Sequence, residues 1–529
     1  MQIHHFPFDE IPQFSARDIA YTTADERLRP FYKYEVTIEA FEQVFQDKSK
    51  ANINREVLVE VLKEQYEAFK TSDLVLSQIE KLREKNTFTV VTAHQPSLFT
   101  GPLYFIYKIF SAINLAEQLN AKYSDRHIVP IFVIGGEDHD FNEINHAHLF
   151  SKELLWVNEE KGAVGAMKTA SLQPVLAELK EILGNSENAT TIYEKVVRSF
   201  TQFETYGQAT QNLVHELFQQ YGLVVLGMNN AKLKRLFIPQ VKEEIFEQPS
   251  QTLIQATQEE LIEAGFGGQA HPREINFFYL ADQIRSRIVL EDDIYKVLDT
   301  DLNFTRAEME QEIENHPERF SPNVVMRPIY QEVVLPNLAY VGGGGELAYW
   351  QERQSQFAHF GINFPMLVRR NSALWIDKGN AKKLNKIGFD LPTIFDDTEE
   401  LIKAYVKENT ENELSLKQEK LSVQQLFEGI VAKAIEIDPG LKKTVLGEQA
   451  KLLNSISALE AKLMRAEKNR HEITINQIRS LKERLFPSGL QERYDNFMAF
   501  YLKQGDAYFE TLKSNLNPLD KRFLVFLEE

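Results

Sequence analysis

The sequence of 529 residues contains no cysteine. A chain without thiols forms no disulfide, offers no thiolate to a metal ion and carries no cysteine nucleophile. The absence fits a reducing compartment, where disulfides are rare. We therefore expect a cytoplasmic protein.

Long apolar runs and an excess of basic residues are missing as well. No stretch reaches the roughly 18 apolar residues of a membrane-spanning helix, and the first ten residues, MQIHHFPFDE, lack the pattern of a signal peptide. Lys and Arg number 59 against 77 Asp and Glu, which gives a formal net charge of −18. Nucleic-acid-binding surfaces are usually basic. We expect neither a membrane nor a nucleic acid as a partner.

The hydrophobic pattern predicts three parts in the chain. Apolar residues recur at helical spacing between 36 and 84, so residues 1–85 are predicted to be a helical segment packed on the core. In residues 86–380, short apolar runs alternate with helical patterns, which indicates a doubly wound parallel sheet of the α/β class. The clearest runs are Phe88–Val91, Ile128–Ile134, Leu154–Val157, Leu223–Leu226 and Phe364–Val368.

Two connections in the predicted sheet, approximately 159–220 and 229–362, are too long for simple crossovers, and we interpret them as insertions. From 381 to 529 the pattern is helical, with a short heptad seam. Either helices such as Val423–Ile435 and Leu490–Leu502 cover this seam within the chain, or a second subunit does. The seam consists of Leu452, Ile456, Leu459, Leu463 and Ala466.

A first group of polar residues follows the strand predicted at Phe88–Val91, in the segment HQPSLFTGPLYFIYK. Ligands of open α/β sheets bind at the carboxyl ends of strands, and the free amides of a helix start attract anions. The segment therefore predicts a triphosphate-binding loop; the alternative is a capped helix with a satisfied core histidine. The candidates are His94, Gln95, Thr100, Gly101, Tyr104 and Lys108.

A second group follows Ile128–Ile134 in the segment GGEDHDFNEINH. Its carboxylates are suited to the amine of a substrate or to a magnesium ion, and His139 is suited to proton transfer. A metal-dependent hydrolase or deacetylase built on these residues is an alternative, although their spacing matches no strong metal motif. A solvated turn is another. The candidates are Glu137, Asp138, His139 and Asp140.

A third group combines the glycine run of YVGGGGELAYW with two arginines after Phe364–Val368. Consecutive glycines let the backbone approach a ligand closely, but no Lys-Ser or Lys-Thr pair follows, so the run is not a Walker loop. The arginines are suited to phosphate or carboxylate, unless one of them pairs with an acidic surface. The candidates are Gly342, Gly343, Gly344, Glu346, Tyr349, Arg369 and Arg370.

These three segments resemble, in order and spacing, the signature segments of the bacillithiol biosynthesis cysteine-adding enzymes, the BshC family of cysteine ligases. The likeness extends to HPREINFFYL at 271–280, MLVRRNSALWID at 366–377 and LFPSGLQERYDN at 485–496, so it covers most of the chain. It implies a Rossmann-like core related to class I nucleotidyltransferases, with connecting-peptide insertions. It also implies a C-terminal α-helical coiled-coil domain that mediates homodimerisation.

The resemblance further implies a reaction, in which L-cysteine is joined to the amine of glucosaminyl-malate as an amide, giving bacillithiol. Activation of the cysteine carboxylate by ATP with Mg²⁺ is expected, without a tightly bound metal. The alternatives are the hydrolase above and a non-catalytic coiled-coil scaffold. The implied catalytic residues are His94, Lys108, Asp138 and His139. Nucleotide contacts are assigned to His94, Gln95, Thr100, Gly101, Lys108, Gly342–Gly344, Arg369 and Arg370, and substrate contacts to Tyr104, Glu137–Asp140, Glu346 and Tyr349.

Overall fold

The structure is a computed structural model that describes residues 1–529, and these divide into two compact units. The larger unit contains residues 3–374 and 489–525. The smaller contains 375–488 with both chain ends, residues 1–2 and 526–529. None of the helices has the length and apolar character needed to cross a membrane.

The secondary structure comprises strands β1 to β15 and helices α1 to α23, numbered in chain order. The strands are Gln2–Pro7, Thr87–His94, His127–Ile134, His146–Leu149, Lys152–Leu155, Val224–Gly227, Phe277–Ala281, Ile284–Glu291, Ile294–Val297, Asn303–Phe304, Phe320–Pro322, Asn337–Gly342, Met366–Arg369, Ala373–Ile376 and Arg522–Leu527. The helices are Ala16–Thr22, Phe41–Lys48, Arg55–Tyr66, Asp73–Lys81, Tyr104–Lys122, Phe141–Ile144, Gln173–Leu183, Glu187–Gln202, Tyr206–Phe218, Ala231–Arg235, Ile238–Glu247, Pro249–Glu263, Arg306–Asn315, Arg327–Val334, Gly344–Gln351, Gln354–His359, Lys378–Ile387, Thr398–Glu408, Lys417–Ile437, Leu441–Arg470, Glu472–Leu485, Met498–Gln504 and Asp506–Asn515.

The larger unit is built around a five-stranded sheet with the strand order β13–β12–β2–β3–β6. Every neighbouring pair in this sheet is parallel. Side chains of β2, β12 and β13 share a buried cluster with helices α2 and α5, which explains why these strands read as continuous apolar runs. The predicted parallel α/β core is confirmed.

Two details of the predicted sheet are wrong. The run Leu154–Val157 contributes to β5, which forms only a two-stranded hairpin with β4. Its alternate residues Leu155 and Val157 are 49% and 73% exposed, as expected of a hairpin with one solvated face. Conversely, β12 lies inside the range that we interpreted as an insertion, although it pairs between β2 and β13. The apolar run of β12 is short, because it lies between Pro336 and the glycine run. Only its pairing with β2 and β13 in the folded protein identifies it as a central strand.

The part of the second insertion that precedes β12 does carry its own sheet, with the antiparallel strand order β10–β9–β8–β7–β11. This sheet brings β8 and the segment before α14 into the larger unit. Both supply side chains to the cavity described below.

In the smaller unit, α19 and α20 pack against each other as a long helical hairpin. In α20 only Glu467 is buried, while the seam residues Leu452, Leu459 and Leu463 are 41%, 53% and 43% exposed. The predicted cover from Val423–Ile435 is present, because that segment lies in α19. The predicted cover from Leu490–Leu502 is wrong: this segment holds a single 3-10 turn, Gln491–Arg493, and the start of α22, and it belongs to the larger unit.

Candidate active site

A cavity of about 840 Å³ lies at the carboxyl ends of β2, β3 and β12. Parallel strands bring their carboxyl ends to the same edge of a sheet, so residues far apart in sequence meet there. The cavity collects residues from all three predicted groups. Those that line it are His94, Gln95, Tyr104, Glu137, Asp138, Gly343, Gly344, Glu346, Tyr349 and Arg370.

His94 ends β2, and its ring packs 5.3 Å from the ring of Tyr104 and 5.4 Å from that of Phe105, between centroids. Its Nδ1 lies 3.0 Å from the backbone oxygen of Gln95. Burial, reinforced by the charge of Lys108, lowers the pKa of His94 to about 4. The imidazole is therefore neutral at physiological pH, and its single N–H, on Nδ1, donates to the carbonyl of Gln95, so Nε2 is left as a hydrogen-bond acceptor.

The turn after His94 is not an open anion site. Phe99, Thr100 and Gly101 all have positive φ angles, of 49°, 73° and 62°, and left-handed backbone is unfavourable for the two non-glycine residues. Asn496 stabilises this turn by donating to the carbonyls of Phe99 at 2.9 Å and Gly101 at 2.8 Å. The amides of Thr100 and Gly101 already donate to Ser97 and Leu98, so neither is available for the predicted phosphate contact. Neither residue lines the cavity.

Lys108 lies beneath the cavity instead of lining it. Its fully buried Nζ donates to both carboxylate oxygens of Glu346, at 2.7 and 2.8 Å, and to the carbonyl of Ala93. Burial alone would raise the pKa of Glu346, but Lys108 and the hydrogen bonds from Gly343 and Tyr340 lower it to about 2. Lys108 thus positions an ionised Glu346, and the structure does not place it for the nucleotide contact that we predicted.

The second loop divides into residues inside and outside the cavity. Glu137 pairs with the buried Lys234 at 2.8 Å. Asp138 accepts hydrogen bonds from Gln95 at 2.6 Å and from the amide of His139 at 2.7 Å, and Arg285 lies 3.5 Å away. Burial opposes ionisation, but these contacts hold the pKa of Asp138 well below its usual range.

His139 and Asp140 do not line the cavity. The side chain of His139 is 49% exposed, and its Nδ1 lies 2.5 Å from a guanidinium nitrogen of Arg285. In this position His139 lies outside the lining, beside two residues that belong to it, and its role as a general base stays a prediction. Because Glu137 and Asp138 both lie beside cations, the arrangement also competes with the metal site of the hydrolase alternative.

The glycine run connects β12 to α15, which begins at Gly344. A Cβ atom at position 344 would lie 2.2 Å from Cγ of Asp18, so only glycine fits there. A Cβ atom at position 345 would have no neighbour within 4 Å. Amides of a first helical turn have no partner within the helix, and Gly343, Gly344 and Gly345 all line the cavity. Gly342 itself does not.

We expect this contrast to separate two neighbouring substitutions. Gly344→Ala should lower the free energy of unfolding by about 1–3 kcal/mol, because the new methyl group displaces Asp18 from its buried ion pair. Gly345→Ala should leave the free energy of unfolding unchanged or slightly higher, because alanine favours a helix. The same substitution should weaken ligand binding. Urea denaturation of both variants measures the first effect. Equal stabilities would contradict the packing described here.

The two arginines after β13 have different environments. Arg370 lines the cavity and makes a bidentate pair with the buried Glu492, at 2.8 and 3.1 Å. Arg369 does not line it; its guanidinium binds both oxygens of Asp18 at 2.9 Å. The prediction that Arg369 contacts a ligand is therefore not supported by its position, and this arginine instead ties α1 to the sheet.

Two family models together match almost the whole chain. The description "Bacillithiol biosynthesis BshC, N-terminal Rossmann-like domain" matches residues 1–371, and "Bacillithiol biosynthesis BshC, C-terminal coiled-coil domain" matches residues 373–528. The chain belongs to the BshC family. The expected Rossmann-like core and C-terminal coiled coil are thereby confirmed.

Curated relatives agree with this assignment. The chain is 38% identical over 508 residues to a protein of Flavobacterium johnsoniae, with 96% of each chain covered. It is 37% identical over 525 residues to a protein of Christiangramia forsetii, with 98% of each covered. A protein of Cytophaga hutchinsonii is 35% identical over 507 residues, with 96% of this chain and 95% of the relative covered. Each carries the name "Putative cysteine ligase BshC".

Several residues that line the cavity were not predicted from the sequence. They lie outside the three polar groups that follow predicted strands, so no strand-end pattern marked them. Arg493 lies in LFPSGLQERYDN, a segment noted only for its resemblance to the family, and Arg327 precedes a proline at a helix start. The main additions are Asn229, Arg285, Asn323, Arg327 and Arg493.

Proposed function

We propose that the chain joins the carboxyl group of L-cysteine to the amine of glucosaminyl-malate, forming bacillithiol. The relatives' name supports a cysteine ligase, and the family description supports a role in bacillithiol biosynthesis. The observation that carries the proposal is the charge of the cavity. Ionised Glu346 and Asp138 suit an ammonium group, while Arg327, Arg370 and the glycine loop suit anions.

A free carboxylate resists attack by an amine, so the cysteine carboxylate must be activated, and ATP with Mg²⁺ supplies that chemistry. In the proposed reaction the amine nitrogen forms a bond to the activated carbonyl carbon, and the bond from that carbon to the phosphate oxygen breaks. The displaced phosphate retains that oxygen, and the attacking nitrogen loses a proton. Preorganised donors stabilise the charge that develops.

The side chains divide between these tasks in the proposal. The amides of Gly344 and Gly345 and the guanidinium of Arg370 face the phosphate groups, and Nε2 of neutral His94 accepts a hydrogen bond from a hydroxyl or amine of the ligand. Asp138 and Glu346 hold the substrate amine. Glu143, which lines the cavity and accepts a hydrogen bond from Gln95 at 2.8 Å, is the carboxylate that would contact Mg²⁺.

Mass spectrometry of a reaction with cysteine, glucosaminyl-malate and ATP tests this proposal, each substrate being omitted in turn. Product is expected only from the complete mixture, with AMP and pyrophosphate in equal amount. Release of ADP and phosphate would indicate an acyl phosphate instead. Product without ATP would refute the activation step, and the absence of product from the complete mixture would refute the reaction.

Two neighbouring aspartates offer a matched pair of variants. Asp138→Asn is expected to lower the ligation rate about 10- to 100-fold, because a charged hydrogen bond to the substrate amine is lost. Asp140 lies two residues further along the chain and outside the cavity, so Asp140→Asn should keep the ligation rate within about twofold of the wild-type rate. Initial rates at saturating ATP measure both. Equal losses in the two variants would place the amine site elsewhere.

We also propose that the hairpin of α19 and α20 pairs with a second copy of the chain. The exposed apolar residues of the seam support it, and α19 adds Leu426 and Ile437, which are 61% and 81% exposed. Several exposed apolar side chains on one helical hairpin are typical of an interface, and two-fold dimers are the commonest soluble oligomers.

A further inference from the structure

The charged groups around the cavity are mostly paired before any ligand binds. Four cations each lie beside a carboxylate, with N···O distances between 2.7 and 3.5 Å. Each pair has no net charge, so none of these cations needs a ligand to supply its counter-ion. The pairs are Lys108–Glu346, Lys234–Glu137, Arg285–Asp138 and Arg370–Glu492.

Arg327, which is half-buried, is the exception among these cations. It begins α14 and lines the cavity. Its Nη1 donates to Oε1 of Gln331 and its Nη2 to the hydroxyl of Tyr349, both at 3.2 Å. Both acceptors are neutral, and no carboxylate pairs with the guanidinium. The remaining N–H groups of its planar fork have no partner within the protein.

A second unpaired guanidinium lies behind the same tyrosine. Arg353 is fully buried, 5.3 Å from the centre of the Tyr349 ring, and its Nη1 donates to the carbonyl of Val325. Its Nε and Nη2 have no hydrogen-bond partner. Burial lowers the pKa of Arg353 to about 10 because the guanidinium is removed from water, and the charge of Arg327 adds a smaller effect in the same direction.

Of the two arginines only Arg353 is fully buried, and a buried cation without a counter-ion is unfavourable by several kcal/mol. The arrangement is therefore incomplete without an anion, and the open side of Arg327 faces the cavity. Tyr349 accepts its hydrogen bond from Arg327, so its own O–H remains available as a second donor to the same anion.

We propose that Arg327 is the anchor for an anionic group of the substrate, a carboxylate or a phosphate held by the fork of the guanidinium, with the Tyr349 hydroxyl as a second donor. The identity of the ligand rests on the proposed function, which offers two sources. One is a malate carboxylate of the acceptor, and the other is a phosphate of ATP. The anchor itself rests only on the unpaired charge.

Binding measured without turnover tests this inference, so it can succeed even where ligation fails. Titration calorimetry with glucosaminyl-malate and, separately, with ATP is expected to show about 10- to 100-fold weaker binding of one ligand to Arg327→Met, as for a lost charged hydrogen bond. Weaker binding of glucosaminyl-malate alone assigns the anchor to a carboxylate, and weaker binding of ATP alone assigns it to phosphate. Unchanged binding of both, or no binding of either to the wild-type protein, overturns the proposal.

Stability distinguishes an anchor from a structural arginine. Ligand-free Arg327→Met should melt at the wild-type temperature or above it, because methionine replaces an unpaired cation with an apolar side chain of similar length. A lower melting temperature would mean that Arg327 stabilises the fold and would overturn the proposal. Arg327→Lys, which keeps the charge but not the fork, should bind with intermediate affinity. Arg273→Met removes an exposed guanidinium outside the cavity and should change neither measurement.

Discussion

Lys108→Met is expected to lower the free energy of unfolding by about 3–5 kcal/mol. The buried Nζ of Lys108 is the cation that pairs with Glu346, and without it the carboxylate keeps only the hydrogen bonds from Gly343 and Tyr340. Breaking one partner of a buried pair leaves the other charge uncompensated in a poorly solvated site. Urea denaturation at pH 7 measures the loss.

The pH dependence of this loss has a definite sign. In the wild-type protein the pKa of Glu346 is lowered to about 2, so its stabilising contribution is complete at neutral pH and disappears as the pH falls towards 2. In Lys108→Met no buried lysine opposes the effect of burial, so the pKa of Glu346 rises. The carboxylate of the variant is then protonated at a higher pH than in the wild-type protein, and protonation removes the uncompensated buried charge. The stability difference between the two proteins should therefore narrow as the pH falls from 7 to 5.

A double variant separates the structural role of this pair from its role in the cavity. Lys108→Met with Glu346→Gln replaces the ion pair by uncharged groups and should recover most of the lost stability. Its ligation rate should stay about 10- to 100-fold low, because the carboxylate that faces the substrate amine is gone. Recovery of both stability and rate would show that Glu346 only supports the fold.

Leu459→Glu combined with Leu463→Glu is expected to convert a homodimer into a monomer. Both leucines are about half exposed on α20, so burying the exposed half of each in the dimer contributes about 0.8–1.5 kcal/mol, which the substitutions would remove. The two-fold axis would also bring like charges together. Light scattering at micromolar concentration should change from twice the chain mass to 61.1 kDa.

The control for this experiment adds the same charge on the opposite side of the helix. Ala461 is two residues from both leucines, about 200° around the helix, and Asn454 lies on the same side as Ala461. Asn454→Glu with Ala461→Glu should therefore leave the dimer intact. A wild-type mass of 61.1 kDa would refute the dimer, and dissociation of the control would place the interface elsewhere on the hairpin. Because the cavity is built from residues of the larger unit alone, the monomeric variant should still bind ATP.

The sequence by itself determined the class of fold and the edge of the sheet where ligands bind. Ile128–Ile134 is apolar throughout, and Phe88–Val91 is apolar except for Thr89, because both faces of a parallel sheet are covered. The polar residues that follow such strands, His94 and Asp138 among them, could only meet at the carboxyl edge. Local sequence was sufficient for these conclusions, because the hydrophobic period and the position relative to a strand end are both local properties.

Only the tertiary structure decided which polar residues face the cavity and which support it. Lys108 and Arg369 carry the same positive charge as Arg327 and Arg370, and the sequence does not distinguish them. In the structure Lys108 forms an ion pair with Glu346, and Arg369 forms one with Asp18. Both partners come from distant segments of the chain. Arg327 hydrogen-bonds only to the neutral groups of Gln331 and Tyr349, because the fold brings no carboxylate into an ion pair with it. Charge pairing depends on contacts between residues hundreds of positions apart, such as Asp18 with Arg369, and the local spacing of residues carries no information about such contacts.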